Sequence, residues 1–223
     1  MDTSPVNAVG IIGGTGPMGR GLALRLGHSG LAVVVGSRDP ARAEESATAI
    51  RSQLADGAGT IRGAGNREAA KFGELTLLTV PYQSGSPAVL ELAGQLRGRV
   101  VVSTAAPMEF QGGRAYPIRP EAGSATQEVA QLCPGARVVG AFHTVSAPLL
   151  GRLGAPLDED ILVTSDEPAA KSLVTSLIAR IPGLRPVDGG GLENAGFSEG
   201  LTPFLIRLNR IHHTNTGIRV TGL

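Results

Sequence analysis

Ala8-Val9-Gly10-Ile11-Ile12-Gly13-Gly14-Thr15-Gly16-Pro17-Met18-Gly19 reads as a short apolar strand running into a glycine turn and then a helix. Within it lies Gly14-x-Gly16-x-x-Gly19, and each glycine answers a physical demand. Gly14 permits the tight turn, and Gly16 lets the backbone approach a pyrophosphate with no Cβ in the way. Gly19 lets the helix lie close on the strand. N–H groups at the helix start then face the phosphates, helped by the helix dipole. Pro17 suits the first helical turn, where a missing N–H costs little. Three glycines at this spacing are weak evidence in a chain of 223 residues with 32 glycines. Their place between a first strand and a helix argues for a dinucleotide-binding turn over a merely tight structural one.

Outward from this turn, short apolar runs alternate with longer amphipathic ones. Strands are expected at residues 8–12, 32–36, 76–80, 99–103 and 138–142, with a weaker one near 60–62. Helices are expected at 18–28, 40–54, 66–72, 87–96 and 124–133. Consecutive valines and isoleucines suit strands buried on both faces. The fold class that follows is α/β, a Rossmann-type doubly wound parallel sheet with right-handed crossovers. Residues 105–123, with Pro107, Pro117 and Pro120, are expected to form a long loop after a strand's carboxyl end, where such folds place ligands. Beyond residue 143 the pattern changes. Strands at 161–165 and 184–187 flank a helix at 167–179, another helix spans 192–209, and the stretch 217–223 is extended. The organisation expected is a dinucleotide-binding domain over residues 1–145 and a small C-terminal α/β extension over 146–223.

The second strand selects the nucleotide. Sites for NAD usually end it with an acidic residue that accepts hydrogen bonds from the ribose. Here it ends Val35-Gly36-Ser37-Arg38, with Arg42 four residues on. Ser37 and Arg38 can donate to a 2′-phosphate, and Arg42 is placed for a second cationic contact, so NADP(H) is expected. Asp39 precedes Pro40 and is expected to cap the next helix. The competing account of Arg38 and Arg42 is a solvated helix face.

Hydrophobic residues make up 42 % and charged residues 17 %, which favours a packed core. A formal charge of +1 gives no electrostatic case for nucleic acid or an acidic membrane surface. With no run of ~18 apolar residues and no basic-then-apolar leader, a soluble, cytoplasmic protein is expected. Cys133 is the only cysteine and reads as a core thiol. His212 and His213 would point about 100° apart on a helix, poor geometry for sharing a metal, and no metal site is expected. Asp158-Glu159-Asp160 reads as a solvated loop. Ser103 and Ser146 lack the context of a nucleophile elbow. Gly196 to Gly200, with Leu201, Pro203, Phe204, Leu205 and Ile206, suggest a homodimer interface.

With these features together, the sequence resembles the coenzyme F420-dependent NADP oxidoreductases. The resemblance rests on Gly13-Gly14-Thr15-Gly16, Gly21-Leu22-Ala23-Leu24-Arg25-Leu26, Val34-Val35-Gly36-Ser37-Arg38 and Thr79-Val80-Pro81. More specific are residues 139–147, from Val139 through Phe142-His143-Thr144 to Ala147, together with Ile181-Pro182-Gly183-Leu184-Arg185-Pro186-Val187-Asp188, Leu201-Thr202-Pro203 and 217–223. It implies hydride transfer between NADP(H) and the deazaflavin coenzyme F420. Thr15, Gly16, Pro17 and Met18 would hold the pyrophosphate, and Ser37, Arg38 and Arg42 the 2′-phosphate. Val80 and Pro81 would border the nucleotide. His143 and Ala147 would lie near the nicotinamide and deazaflavin, His143 pairing with a ring substituent. Met108 would come from the loop at the cleft. Two departures stand out: Thr216 where family members can present an apolar residue, and Ala105-Ala106 where bulkier residues are often seen. The same residues leave open an NADPH-dependent reductase of a flavin or small imine, and an NADP(H)-sensing module without turnover.

Overall fold

The computed structural model describes residues 6–223. Strands β1 (Ala8–Ile12), β2 (Ala32–Ser37), β3 (Ile61–Gly65), β4 (Leu75–Leu78), β5 (Val100–Ser103) and β8 (Arg137–Gly140) form one sheet in the order β3-β2-β1-β4-β5-β8. Every pairing in it is parallel. The order reverses at β1, which leaves a crevice past the carboxyl ends of β1 and β4, the place where doubly wound sheets bind ligands. Helices α1 (Pro17–His28), α2 (Pro40–Arg51), α3 (Asn66–Ala69), α4 (Tyr82–Leu96) and α5 (Ala125–Leu132) make the crossovers. Central β1, β4 and β5 are almost wholly buried, as their unbroken apolar runs require. Cys133 is buried at the end of α5.

The remaining chain holds α6 (Ala147–Leu150), β9 (Glu159–Val163), α7 (Pro168–Ile178), β10 (Leu184–Asp188) and the long α8 (Ala195–His212). β9 and β10 pair in parallel as a separate two-stranded sheet, linked to the main sheet by one antiparallel bridge, Gly140 to Thr164. One apolar cluster runs from Ile11, Leu22 and Val35 through Val139 and Leu150 to Ile161, Val174 and Leu177. Arg25 on α1 fastens α6 and the segment after it. Its Nε donates to Leu150 O at 3.1 Å, and its Nη2 to the carbonyls of Leu149, Arg152 and Ala155 at 2.8, 2.6 and 2.9 Å. None of the helices among the described residues is long and apolar enough to cross a membrane.

Three expectations are corrected. Residues 105–123 are not an open loop: β6 (Met108–Gln111) and β7 (Arg114–Pro117) form an antiparallel hairpin. Gly112 and Gly113 turn it with φ of 55° and 74°, the left-handed pair that a two-residue hairpin demands. Helix α4 begins at Tyr82 rather than near Pro87, with Pro87 inside it and Pro81 as its cap. Of the acidic trio only Asp158 is solvent-exposed as expected. Glu159 and Asp160 are buried on β9, and cations distant in sequence reach Asp160. Asp160 Oδ1 accepts from Arg185 Nε at 2.8 Å and Arg219 Nη1 at 3.1 Å. Its Oδ2 accepts from Arg185 Nη2 and the Val220 N–H, both at 2.7 Å. These contacts hold the Asp160 carboxyl far below the usual carboxylate range, led by the Arg185 hydrogen bonds.

Candidate cofactor-binding site

The turn after β1 is built by proximity. Gly13 carries the left-handed conformation, φ 72°, so the tight turn rests on it rather than on Gly14. Gly14 donates its N–H to Gly36 O at 2.8 Å, and a Cβ on it would lie 2.9 Å from Val35 Cγ1. A Cβ on Gly19 would lie 2.5 Å from Gly14 Cα and 2.8 Å from Thr79 Oγ1, so this glycine lets α1 sit down between β1 and β4. Gly16 differs: only Gly13 O, at 3.5 Å, comes near its missing Cβ. Space is therefore open on the ligand side. Gly16 is also the cap of α1, with no side chain satisfying the helix N–H groups, and Pro17 begins the helix. Unpaired donors with a positive dipole end suit a phosphate. Thr15 and Met18 flank the turn half-buried, Met18 packed on the core. Asn66, which sequence reasoning missed, braces the turn by accepting the Gly13 N–H through Oδ1 at 3.2 Å.

At the end of β2, Ser37 is buried and its Oγ accepts the Asp39 N–H at 3.2 Å. Asp39 caps α2, accepting from the N–H groups of Ala41 and Arg42 at 2.9 and 3.4 Å. Its charge is thus turned toward a helix N-terminus. Arg38 and Arg42 are exposed, and among the described residues neither side chain makes a hydrogen bond or ion pair. Val80 touches the glycine turn, its Cγ1 lying 2.6 Å from where a Gly13 Cβ would be, and Pro81 follows at the cap of α4. The predicted nucleotide residues therefore gather past the ends of β1, β2 and β4.

The second group lies past β5 and β8. Met108 heads the hairpin and accepts from Gln83 Nε2 of α4 at 3.2 Å. After β8, Phe142 is fully buried with φ 63°, a conformation that is costly for an aromatic residue. His143 follows with its side chain 1 % exposed. Its ring lies under α8, with Nδ1 3.2 Å from Ser198 Oγ and Nε2 3.9 Å from Glu199 Oε1. Ser198 Oγ donates to Ala195 O, which leaves His143 Nδ1–H to donate to Ser198 and Nε2 as a buried acceptor with no partner. Burial pushes the imidazole down to about 4, so it is neutral. Glu199 caps α5 from α8, accepting the N–H groups of Ala125 and Thr126 and the Thr126 hydroxyl at 2.7–2.9 Å.

Ala147 opens α6, which packs against α1 so tightly that a Cβ on Gly21 would lie 2.6 Å from Leu150 Cβ. Thr216 is held by Asn209 of α8, whose Oδ1 accepts its N–H at 2.6 Å and its hydroxyl at 2.8 Å. The Ser146 hydroxyl donates to Asn215 Oδ1 at 3.1 Å, which ties the start of α6 to the segment carrying Thr216. Behind them lies Glu159, 3 % exposed. It accepts the Ser146 N–H, and Gly217 presses so close that a Cβ there would lie 2.6 Å from Oε2. Burial pushes its carboxyl up to about 7. Glu159 and Glu199 were missed because their partners are distant in sequence, and Asn209 because its partner lies past the end of its helix.

A reversed strand order, a glycine turn with an uncapped helix, and two uncommitted arginines at the end of β2 define a dinucleotide-binding protein of Rossmann type. Residues 8–107 match the family described as NADP oxidoreductase, coenzyme F420-dependent. The F420-dependent NADP reductase of Methanothermobacter thermautotrophicus is 36 % identical, covering 98 % of this chain and 96 % of that protein. The F420-dependent NADP reductase of Methanocaldococcus jannaschii is 37 % identical, covering 96 % and 98 %. A crystal structure of a candidate F420-dependent NADP reductase from Arthrobacter sp. FB24 superposes with a TM-score of 0.80 at 26 % identity, covering 97 % of this chain and 99 % of that one. The chain belongs to the F420-dependent NADP oxidoreductase family. Imine reductases share its fold at 18–21 % identity, a likeness of fold alone.

Proposed function

We propose that this protein transfers a hydride between NADP(H) and coenzyme F420. The observation that carries the proposal is the likeness, over nearly the whole chain, to reductases described as acting with both. The end of β2 supports the NADP half, since Arg38 and Arg42 are free to pair and Asp39 is spent on a helix cap. When bound, the two cofactors supply both reacting carbons, so the protein contributes position and dryness rather than a nucleophile or metal. Gly14, Thr15, Gly16, Pro17 and Met18 would bind the pyrophosphate through backbone N–H groups. Ser37, Arg38 and Arg42 would bind the 2′-phosphate, with Val80 and Pro81 lining the nucleotide wall. Residues 1–145 thereby serve NADP(H), and 146–223 complete the deazaflavin cleft with Met108, Ala147 and Thr216.

His143 is enclosed and neutral, so it acts as a positioning residue that fixes the 143–147 segment under α8. The protein works as a cytoplasmic homodimer. Phe197 and Phe204 lie seven residues apart along α8 and are 77 and 55 % exposed, an apolar stripe that a second copy would cover. Pro203 and Leu205 face the chain's own core and are not part of that stripe.

The test is the visible absorbance of oxidised F420 mixed with purified protein and NADPH. Bleaching that needs both protein and NADPH, and is slower with NADH, is expected. NADPH binding without bleaching would overturn the acceptor and leave the nucleotide site standing.

A further inference from the structure

Between the β6–β7 hairpin and the C-terminal half of α8 lies a groove of about 580 Å³. Its charged lining residues are Arg114, Arg207 and Arg210, and no carboxylate lines it. The chain carries a net charge of only +1, so three bare cations here are not a sample of a generally basic surface. Arg207 is held over the Tyr116 ring, 5.4 Å from its centroid, and Arg210 Nη1 donates to Gly113 O at 2.8 Å. The acid on the hairpin is Glu109, opposite Tyr116, and its carboxylate accepts from Gln111 Nε2 rather than from an arginine. Ile206 and Ile211 place aliphatic surface between the charges.

Guanidinium groups held like those of Arg207 and Arg210 match the paired oxygens of carboxylates and phosphates, and an anion relieves the repulsion among the three. Both walls of the groove are joined along the chain to residues of the cleft described above. The hairpin leaves the end of β5 through Met108, which is tied to α4. Arg210 follows Asn209, the residue that holds Thr216. We infer that this groove seats a linear anionic chain carried by the acceptor, its phosphodiester or its row of carboxylates, leading outward from the reacting ring. This rests on the F420 reading, since F420 bears a phosphodiester followed by glutamates, and it adds a determinant for tail length.

The experiment compares binding, without turnover, of F420 forms ending at the phosphate and forms carrying several glutamates, followed by deazaflavin fluorescence. For the unaltered protein, at least tenfold tighter binding of the long form is expected at low salt, shrinking as salt rises. In the Arg114→Ala/Arg207→Ala double variant the advantage disappears while the short form binds as before. Arg210 is left in place because it anchors the hairpin, and an unchanged melting temperature verifies folding. An advantage that grows with each glutamate assigns carboxylates to the groove. Weaker binding of the short form itself in the double variant assigns the phosphodiester. Equal affinity for both forms, with no effect of the double variant, overturns the inference. If no F420 form binds, the functional reading fails separately, and calorimetric titration with inorganic tripolyphosphate tests the groove. Binding lost in the double variant upholds an anion site, and no binding removes it.

Discussion

Arg38 is a single exposed side chain on which nucleotide choice is proposed to depend. Arg38→Ala should weaken NADPH binding tenfold or more and leave NADH nearly untouched, the scale of one charge-assisted hydrogen bond, ~1.5–3 kcal/mol. Equal losses for the two nucleotides, measured by titration, would remove the 2′-phosphate assignment. Glu159 makes a different kind of prediction. Its folded pKa, about 7, lies above the ordinary 4.5. The unfolded chain therefore releases this proton first as pH rises, and stability falls between about pH 4.5 and 7 before levelling off. Glu159→Gln keeps the shape without the charge, so the variant should gain on the parent at pH 8 relative to pH 5. The gain is on the order of 2–3 kcal/mol. Parallel urea-denaturation curves for the two proteins at both pH values would show that the carboxyl is not held as described. These residues also mark what the sequence could tell. The glycine turn, Ser37, Arg38 and the cap at Asp39 were legible because their meaning is local. Glu159 and Asp160 were not, because Arg185, Arg219 and the residues around Gly217 reach them from 25 to 60 positions away.

Among the elements, α1 and α6 meet through a contact that the α1 sequence alone does not announce. Arg25 gives its guanidinium to four backbone carbonyls in the 149–155 segment. Arg25→Met preserves the aliphatic stem but strands those acceptors, and about 2–4 kcal/mol of stability should be lost. The lowered urea midpoint should come with weaker cofactor binding, since Ala147 opens the helix that leads into that segment; an unchanged midpoint would show that the carbonyls find water instead. Strand positions were readable to within two residues or so, because β1, β2, β4, β5 and β8 are runs of buried aliphatics. The hairpin was missed although Gly112-Gly113 signalled it. Its strands are short and largely exposed, so they lack the alternating apolar pattern that marks a strand.

For the whole molecule, the apolar stripe of α8 is the feature that bears on assembly. Phe204→Glu should convert a dimer to a species of one chain's mass in analytical ultracentrifugation without lowering the melting temperature of the protomer. A parent protein that already sediments as a single chain would contradict the homodimer.

The shared core has a consequence for how such a protein can change over time. Side chains from Ile11 to Leu177 interlock in one cluster, and Arg25 is committed to carbonyls across the junction. A crossover that joined residues 1–145 of one relative to 146–223 of another would mismatch buried surfaces on both sides of the seam. Acceptor preference in this lineage is therefore expected to drift by point substitution around the cleft rather than by exchange of whole cassettes. Two separately expressed halves should recover a folded protein only when they come from the same parent.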